Sequence, residues 1–191
     1  MHVTTLVDDT VGDLAIDRYH SSNVVAMVTL GMGTNVAYLG REYEVSKWNG
    51  PPPKSGSMVI DMGWGNFSSS HFPITEFDIY LDTESSNPDS TPMIREVVAD
   101  VCDIVVDRGA RIAGPGILDI LKKLERVEAK QRTVVTVEGK LYQHYSLFRN
   151  YLHSGVWEML ESSEFADNIV IDNSNGGSRI GAIFLAASHS H

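Results

Sequence analysis

The chain has 191 residues, of which 42% are hydrophobic and 21% charged, and it carries a formal net charge of −10. That composition suits a soluble globular protein of one or two domains, and the charge argues against nucleic acid or an anionic membrane as its main partner. The single cysteine, Cys102, rules out an internal disulfide framework and fits a reducing, cytoplasmic compartment.

The opening "MHVTTLVDD" lacks the basic and apolar regions of a secretory signal. "HVTTLV" is rich in β-branched residues and reads as a short strand ending at Asp8 and Asp9. "TVGDLAIDRY" then spaces Val11, Leu14, Ala15 and Arg18 as a short helix. Residues 23–40, "NVVAMVTLGMGTNVAYLG", carry no charge and imitate a membrane span, but "GMGTN" divides them into two runs of strand length, a hairpin rather than a transmembrane helix. "KWNGPPPKSG" is a loop, and "SMVIDMGWGNF" returns to strand.

Residues 85–92, "SSNPDSTP", are all turn formers and form the strongest linker signal. Beyond them the spacing predicts a helix over "MIREVVADVCDIVVDRGARI", with Val97, Val101, Ile104 and Val105 on one face. A second helix, "GILDILKKLERVEA", is expected after a break at "GPG". A strand "RTVVTVEG" follows. Next comes the helix "HYSLFRNYLHSGVWEMLES", with Leu147, Phe148, Tyr151, Leu152, Val156 and Leu160 as its buried stripe. A last strand, "NIVIDN", passes through "SNGGS" into a terminal helix, "IGAIFLAASH". Units of strand, glycine loop and helix imply a layered α/β fold.

Two loops are built to approach an anion. "LGMGTN" has glycines that let backbone N–H groups come close, and "SNGGSRIG" sits at a helix N-terminus. Both also have a plain structural reading as turns, and neither matches a Walker A or dinucleotide fingerprint. Asp8 and Asp9, at a strand end, read either as a cap or a solvated turn, or as a general base with a neighbour that braces the turn or binds the substrate's edge. On an extended backbone only one of the two would face a given cleft. The seven histidines show no metal-binding spacing, so no metal site is expected, and no nucleophile elbow supports serine catalysis.

With these residues laid out, the chain resembles the hexokinase family, most closely its plant members. "LVDDTVGDL" is similar to the family's Leu-Val-Asn-Asp-Thr-Val-Gly-Thr-Leu, and "LGMGTNVAY" to Leu-Gly-Thr-Gly-Thr-Asn-Ala-Ala-Tyr. "KSGSMVIDMGWGNF" resembles Lys-Ser-Gly-x-Met-Val-Ile-Asn-Met-Glu-Trp-Gly-Asn-Phe. "RGARIAGPGILDILKKL", "EGKLYQHYSLFRNYL" and "SNGGSRIGAIFLAASHS" follow the family's C-terminal part in order.

The resemblance implies an actin-like ATPase (ribonuclease H-like) fold, incomplete and lacking most of the small lobe. It implies ATP with Mg2+ as phosphoryl donor and a hexose, glucose, as acceptor at the 6-hydroxyl. Carried across by motif, Asp9 is the base, and Asp8 and Asn35 stand at sugar-binding positions. Gly31, Gly33 and Thr34 would hold phosphate. Residues 107–111, with Arg108 and Gly109, together with Lys140, Gly177 and Ser178, would lie on the nucleotide side. Residues 1–88 would be the N-terminal part of the large domain and 89–191 the C-terminal part, joined across an internal deletion at the linker.

Several ligand positions depart from the pattern. Gly63 replaces the glutamate of Met-Glu-Trp-Gly, Met32 the first Thr of the phosphate motif, Asp107 a Thr, Arg179 a Gly, and Asp8 an Asn. Phosphoryl transfer depends on positioning and charge stabilisation, so these losses imply an impaired kinase. The alternatives are a non-catalytic hexokinase-like protein that binds sugar, or a truncated fragment without autonomous function.

Overall fold

A computed structural model describes residues 6–31, 33–66, 92–129, 131–160 and 168–188, with residues 66 and 92–99 as backbone only. Helix α1 (Asp9–His20) leads into strands β1 (Val24–Leu30), β2 (Thr34–Arg41) and β3 (Ser57–Asp61), and a 3-10 turn at Trp64–Asn66 follows. The long helix α2 (Pro92–Lys123) precedes β4 (Thr133–Glu138), the short helix α3 (Lys140–His144) and α4 (Ser146–Glu158). Strand β5 (Ile169–Asn173) and helix α5 (Ser178–Ser188) complete the order.

The five strands form one sheet in the order β3-β2-β1-β4-β5. β1, β2 and β3 are an antiparallel meander, with Thr29 opposite Asn35 and Ala37 opposite Asp61. β4 runs parallel to β1, and β5 parallel to β4. β1 lies at the centre, which is why "VVAMVTL" is apolar but for Thr29: a strand covered on both faces has no polar side to show. The segments before and after the expected linker therefore contribute to the same sheet. The linker itself lies in residues 67–91, outside the described residues apart from Pro92.

One face of the sheet packs on α2 and α4. Ala110, Ile117, Leu121, Leu152 and Val156 meet Val28, Val36, Val135 and Val137 there, all buried. The other face packs on α1 through a smaller cluster of Leu14, Val24, Met27 and Ala37. α5 then covers α1 from outside, so α1 is enclosed on two sides. Gly12 and Gly181 make that crossing possible: a Cβ on Gly181 would sit 1.8 Å from the Gly12 carbonyl oxygen.

The structure corrects several sequence expectations. Leu6 and Val7 are not in a strand, and Leu6 is almost fully exposed; residues 1–5 lie outside the described residues. The break expected at "GPG" is absent, because α2 runs unbroken through Pro115. Tertiary packing wins over local propensity here. A Cβ at Gly116 would fall 2.5 Å from the Trp64 ring, and one at Gly114 3.4 Å from the Val156 nitrogen, so these glycines seat neighbours rather than end the helix. α2 does stop at Lys123, and residues 124–129 form turns instead of continuing it.

Ile104 and Val105 are exposed rather than buried, and the core stripe of α2 begins at Ala110, where α4 and the sheet cover it. Val97 is described only as backbone. The helix expected from residue 144 is two helices separated at Tyr145. Phe148, Leu152, Val156 and Leu160 are buried there as the spacing predicts, whereas Leu147 is 40% exposed. The strand expected over residues 57–67 stops at Asp61 and turns into the 3-10 segment.

Candidate active site

Asp8 keeps an extended backbone, φ −67° and ψ 149°, and its side chain caps α1 by accepting from the Thr10 N–H at 2.9 Å. Asp9 is the first residue inside the helix, where a carboxylate complements the positive end of the helix dipole. The change from extended to helical backbone between them removes the opposite-sides geometry expected from an extended pair. Both carboxylates line one open cleft of about 440 Å³. Asp9 is exposed, and among the described residues nothing hydrogen-bonds its carboxylate. It is free to accept a proton from a hydroxyl.

The opposite rim is the β1–β2 turn. Gly31 N–H donates to the Gly33 carbonyl at 3.0 Å, closing the turn, and Gly31, Gly33, Thr34 and Asn35 line the same cleft. Met32 lies outside the described residues. A hydroxyl contact of 3.2 Å between Thr10 and Thr29 ties the first turn of α1 to the end of β1.

Asn35 is already committed to its neighbours. Its Nδ2 donates to Asp61 Oδ1 at 2.8 Å and weakly to Asp8 Oδ1 at 3.5 Å, while its Oδ1 accepts from the N–H groups of Val36 and Gly63, each at 2.8 Å. Gly63 has φ +62°, a conformation that glycine adopts without cost and other residues resist. Gly63, which the resemblance sets against a glutamate, thus stands in a backbone shape suited to glycine.

The remaining expected residues do not line the cleft. Arg108 and Gly109 lie midway along α2, and Gly109 faces the Phe148 ring on α4. Asp107 pairs with Arg111 at 2.7 Å one helical turn on, so the negative charge at this position is met within α2. Lys140 opens α3, exposed and two residues past Glu138. Gly177 and Ser178 sit where α5 begins, next to α1: the Ser178 carbonyl oxygen is 2.8 Å from where a Gly12 Cβ would be.

Sequence reasoning missed three carboxylates. Glu138 lines the cleft, and Asp61 holds Asn35. Asp13 is buried beneath, against the Glu138 carboxylate, with Gly177 N–H donating to it at 3.2 Å. Burial and the Glu138 carboxylate together push the Asp13 pKa from 3.8 to about 7. The available signal was the spacing of Asp9, Asp13 and Asp17, like charges four apart on a short helix, an arrangement that costs stability in an isolated helix. Asp8, Asp9 and Glu138 give the cleft three carboxylates, and none of its described lining residues is Lys or Arg.

Comparison with known proteins bears on the family and the fold. A family model described as hexokinase matches residues 25–94 and 89–188. Hexokinase-1 of Spinacia oleracea is 37% identical over 270 residues, covering the whole chain and 54% of the relative; Hexokinase-1 of Arabidopsis thaliana is 36% identical with the same coverage. The chain thus spans about half the length of the curated relatives it matches. A Schistosoma mansoni hexokinase solved with glucose superposes with a TM-score of 0.72 at 23% identity, over 95% of this chain and 57% of that one. The fold is the actin-like ATPase fold, present in part. The chain belongs to the hexokinase family.

Proposed function

We propose that this chain carries the base-bearing half of a site for ATP-dependent phosphorylation of a hexose at its 6-hydroxyl, and that on its own it turns over weakly. The observation that carries the reading is the unengaged Asp9 carboxylate, facing one cleft with Asn35 and the Gly31–Gly33–Thr34 turn. Asp9 would take the proton from the sugar hydroxyl. Asn35 and Asp8 would contact the sugar, and the turn would present N–H groups to phosphate. The residues fit a phosphate group in part: the glycine turn is open, with nothing within 4 Å of a Cβ built on Gly33. Bound ATP with its Mg2+ would supply the phosphoryl group. Among the described residues no cluster of three or more ligating side chains forms a cage for the ion, so Mg2+ would arrive with the nucleotide.

Weak turnover follows from what the site has lost. Gly63 offers no carboxylate, the cleft is open, and its carboxylates meet an incoming anion with no Lys or Arg among its described lining residues. A missing oriented contact of this kind typically costs about 2–4 kcal/mol of transition-state stabilisation. The chain's architecture, 1–88 joined to 89–191 across an internal deletion, is supported by matches spread over 270 positions of relatives that this chain covers with 191 residues. Among the described residues no helix is long and apolar enough to cross a membrane.

A coupled assay with glucose and ATP tests the reading. ADP release above a mock preparation that disappears in Asp9→Ala supports it; release unchanged in Asp9→Ala overturns it. The acidic cleft, with no Lys or Arg among its described lining residues, favours a second reading, a sugar-binding protein without catalysis. That reading predicts glucose binding by calorimetry at millimolar affinity or better, with no ADP release.

A further inference from the structure

The N-terminus of α5 is where backbone N–H groups and the helix dipole favour an anion. In this chain two buried carboxylates of α1 take N–H groups of the loop that enters α5, one of them from the residue just before the helix. Gly177 N–H donates to Asp13 Oδ1 at 3.2 Å, and Asn175 N–H donates to Asp17 Oδ1 at 3.0 Å. Asp13 is 1% exposed and Asp17 fully buried, and the second oxygen of Asp17 has no hydrogen-bond partner. Glu138 adds a third acidic group against Asp13. Arg179, the second residue of α5, forms no ion pair with Asp13 or Asp17.

We propose that Asp13 and Asp17 are specificity-determining residues that occupy the anion position at the start of α5 from within and so exclude phosphate groups from it. This rests on the reading above only in taking the start of α5 as the nucleotide side. Both carboxylates come from the helix that begins with Asp9, so the segment that presents the base also blocks the donor side. A like charge a few ångströms from a phosphate in a partly desolvated site opposes binding strongly, and Asp17 cannot be screened by water it does not reach. In the motif that this chain resembles, position 13 is Thr, so the block is a property of this sequence.

The test is calorimetric titration at pH 8 of the full chain, with inorganic pyrophosphate and, separately, with ATP and Mg2+. Asp13→Asn/Asp17→Asn keeps side chains of the same shape with a carbonyl to accept the two N–H groups, and removes the charges. The double variant is expected to bind pyrophosphate at least tenfold more tightly than the parent. No gain in a variant that melts cooperatively overturns the proposal. If the double variant fails to fold, Asp13→Asn alone is titrated, with a gain of at least threefold expected and no gain overturning the proposal. Gain for pyrophosphate without gain for ATP upholds anion exclusion and removes the nucleotide reading of this loop.

Discussion

Asn35 donates its amide to Asp61 at 2.8 Å across the β2–β3 pair, while its carbonyl oxygen accepts from Gly63 two residues further on. One side chain thereby fixes the turn that carries Trp64 over Gly116 of α2. Asn35→Ala strands the Val36 and Gly63 N–H groups and is expected to cost about 1–2 kcal/mol in urea unfolding. Asn35→Asp keeps the acceptor but places a third carboxylate beside Asp8 and Asp61. It should be the less stable variant at pH 7 and recover ground at pH 4. Equal melting of all three proteins would show that the bonds contribute nothing.

The α1–α5 crossing depends on the absence of two side chains. Gly181→Ala puts a methyl group 1.8 Å from the Gly12 oxygen, too close for side-chain adjustment to relieve, so the helices must separate. Overpacking of a close contact typically costs about 1–3 kcal/mol, and a backbone clash lies at or above the upper end. Gly33→Ala, with nothing within 4 Å of the new methyl, serves as the comparison and should unfold near the parent midpoint.

Pro115 sits inside an unbroken helix and removes the N–H that would bond the Arg111 carbonyl. Pro115→Ala restores that donor and is expected to raise the unfolding free energy by about 1–3 kcal/mol. Pro115→Gly, which restores the N–H without helix propensity, should gain less. A fall in stability for Pro115→Ala would mean that the ring's packing outweighs the missing bond.

Stability should vary with pH through Asp13. Its carboxyl titrates near 3.8 when unfolded and at about 7 in the folded chain, chiefly because burial disfavours the charge. Between those values the folded state binds more protons, so a rise in pH favours unfolding. This group's effect is absent below pH 4, grows to pH 7 and then levels, at up to about 4 kcal/mol. Asp13→Asn removes the titration and should flatten the parent's decline over pH 4–7 in urea midpoints. A parallel decline in both proteins would assign the effect elsewhere.

Much was legible in the sequence because it depends on local pattern. The apolar β1–β2 hairpin, the glycine turn between them, β4, β5 and the helix after "SNGGS" stand where spacing and turn chemistry place them. The ordered motifs carried the family, and with it the position of Asp9. What failed were local rules that packing overruled: the helix through Pro115, the exposed Ile104 and Val105, and the shared cleft of Asp8 and Asp9.

The sequence by itself determined the α/β class and the family, because these rest on residue type in a fixed order. Only the tertiary structure decided which carboxylates meet. Asp13 reaches Gly177 across 164 residues, and Asn35 reaches Asp61 across 26. Contacts of that separation are set by how the sheet pairs and how α5 crosses α1. No local spacing encodes them, and they hold in place the helix and the turn that carry the carboxylates of the cleft.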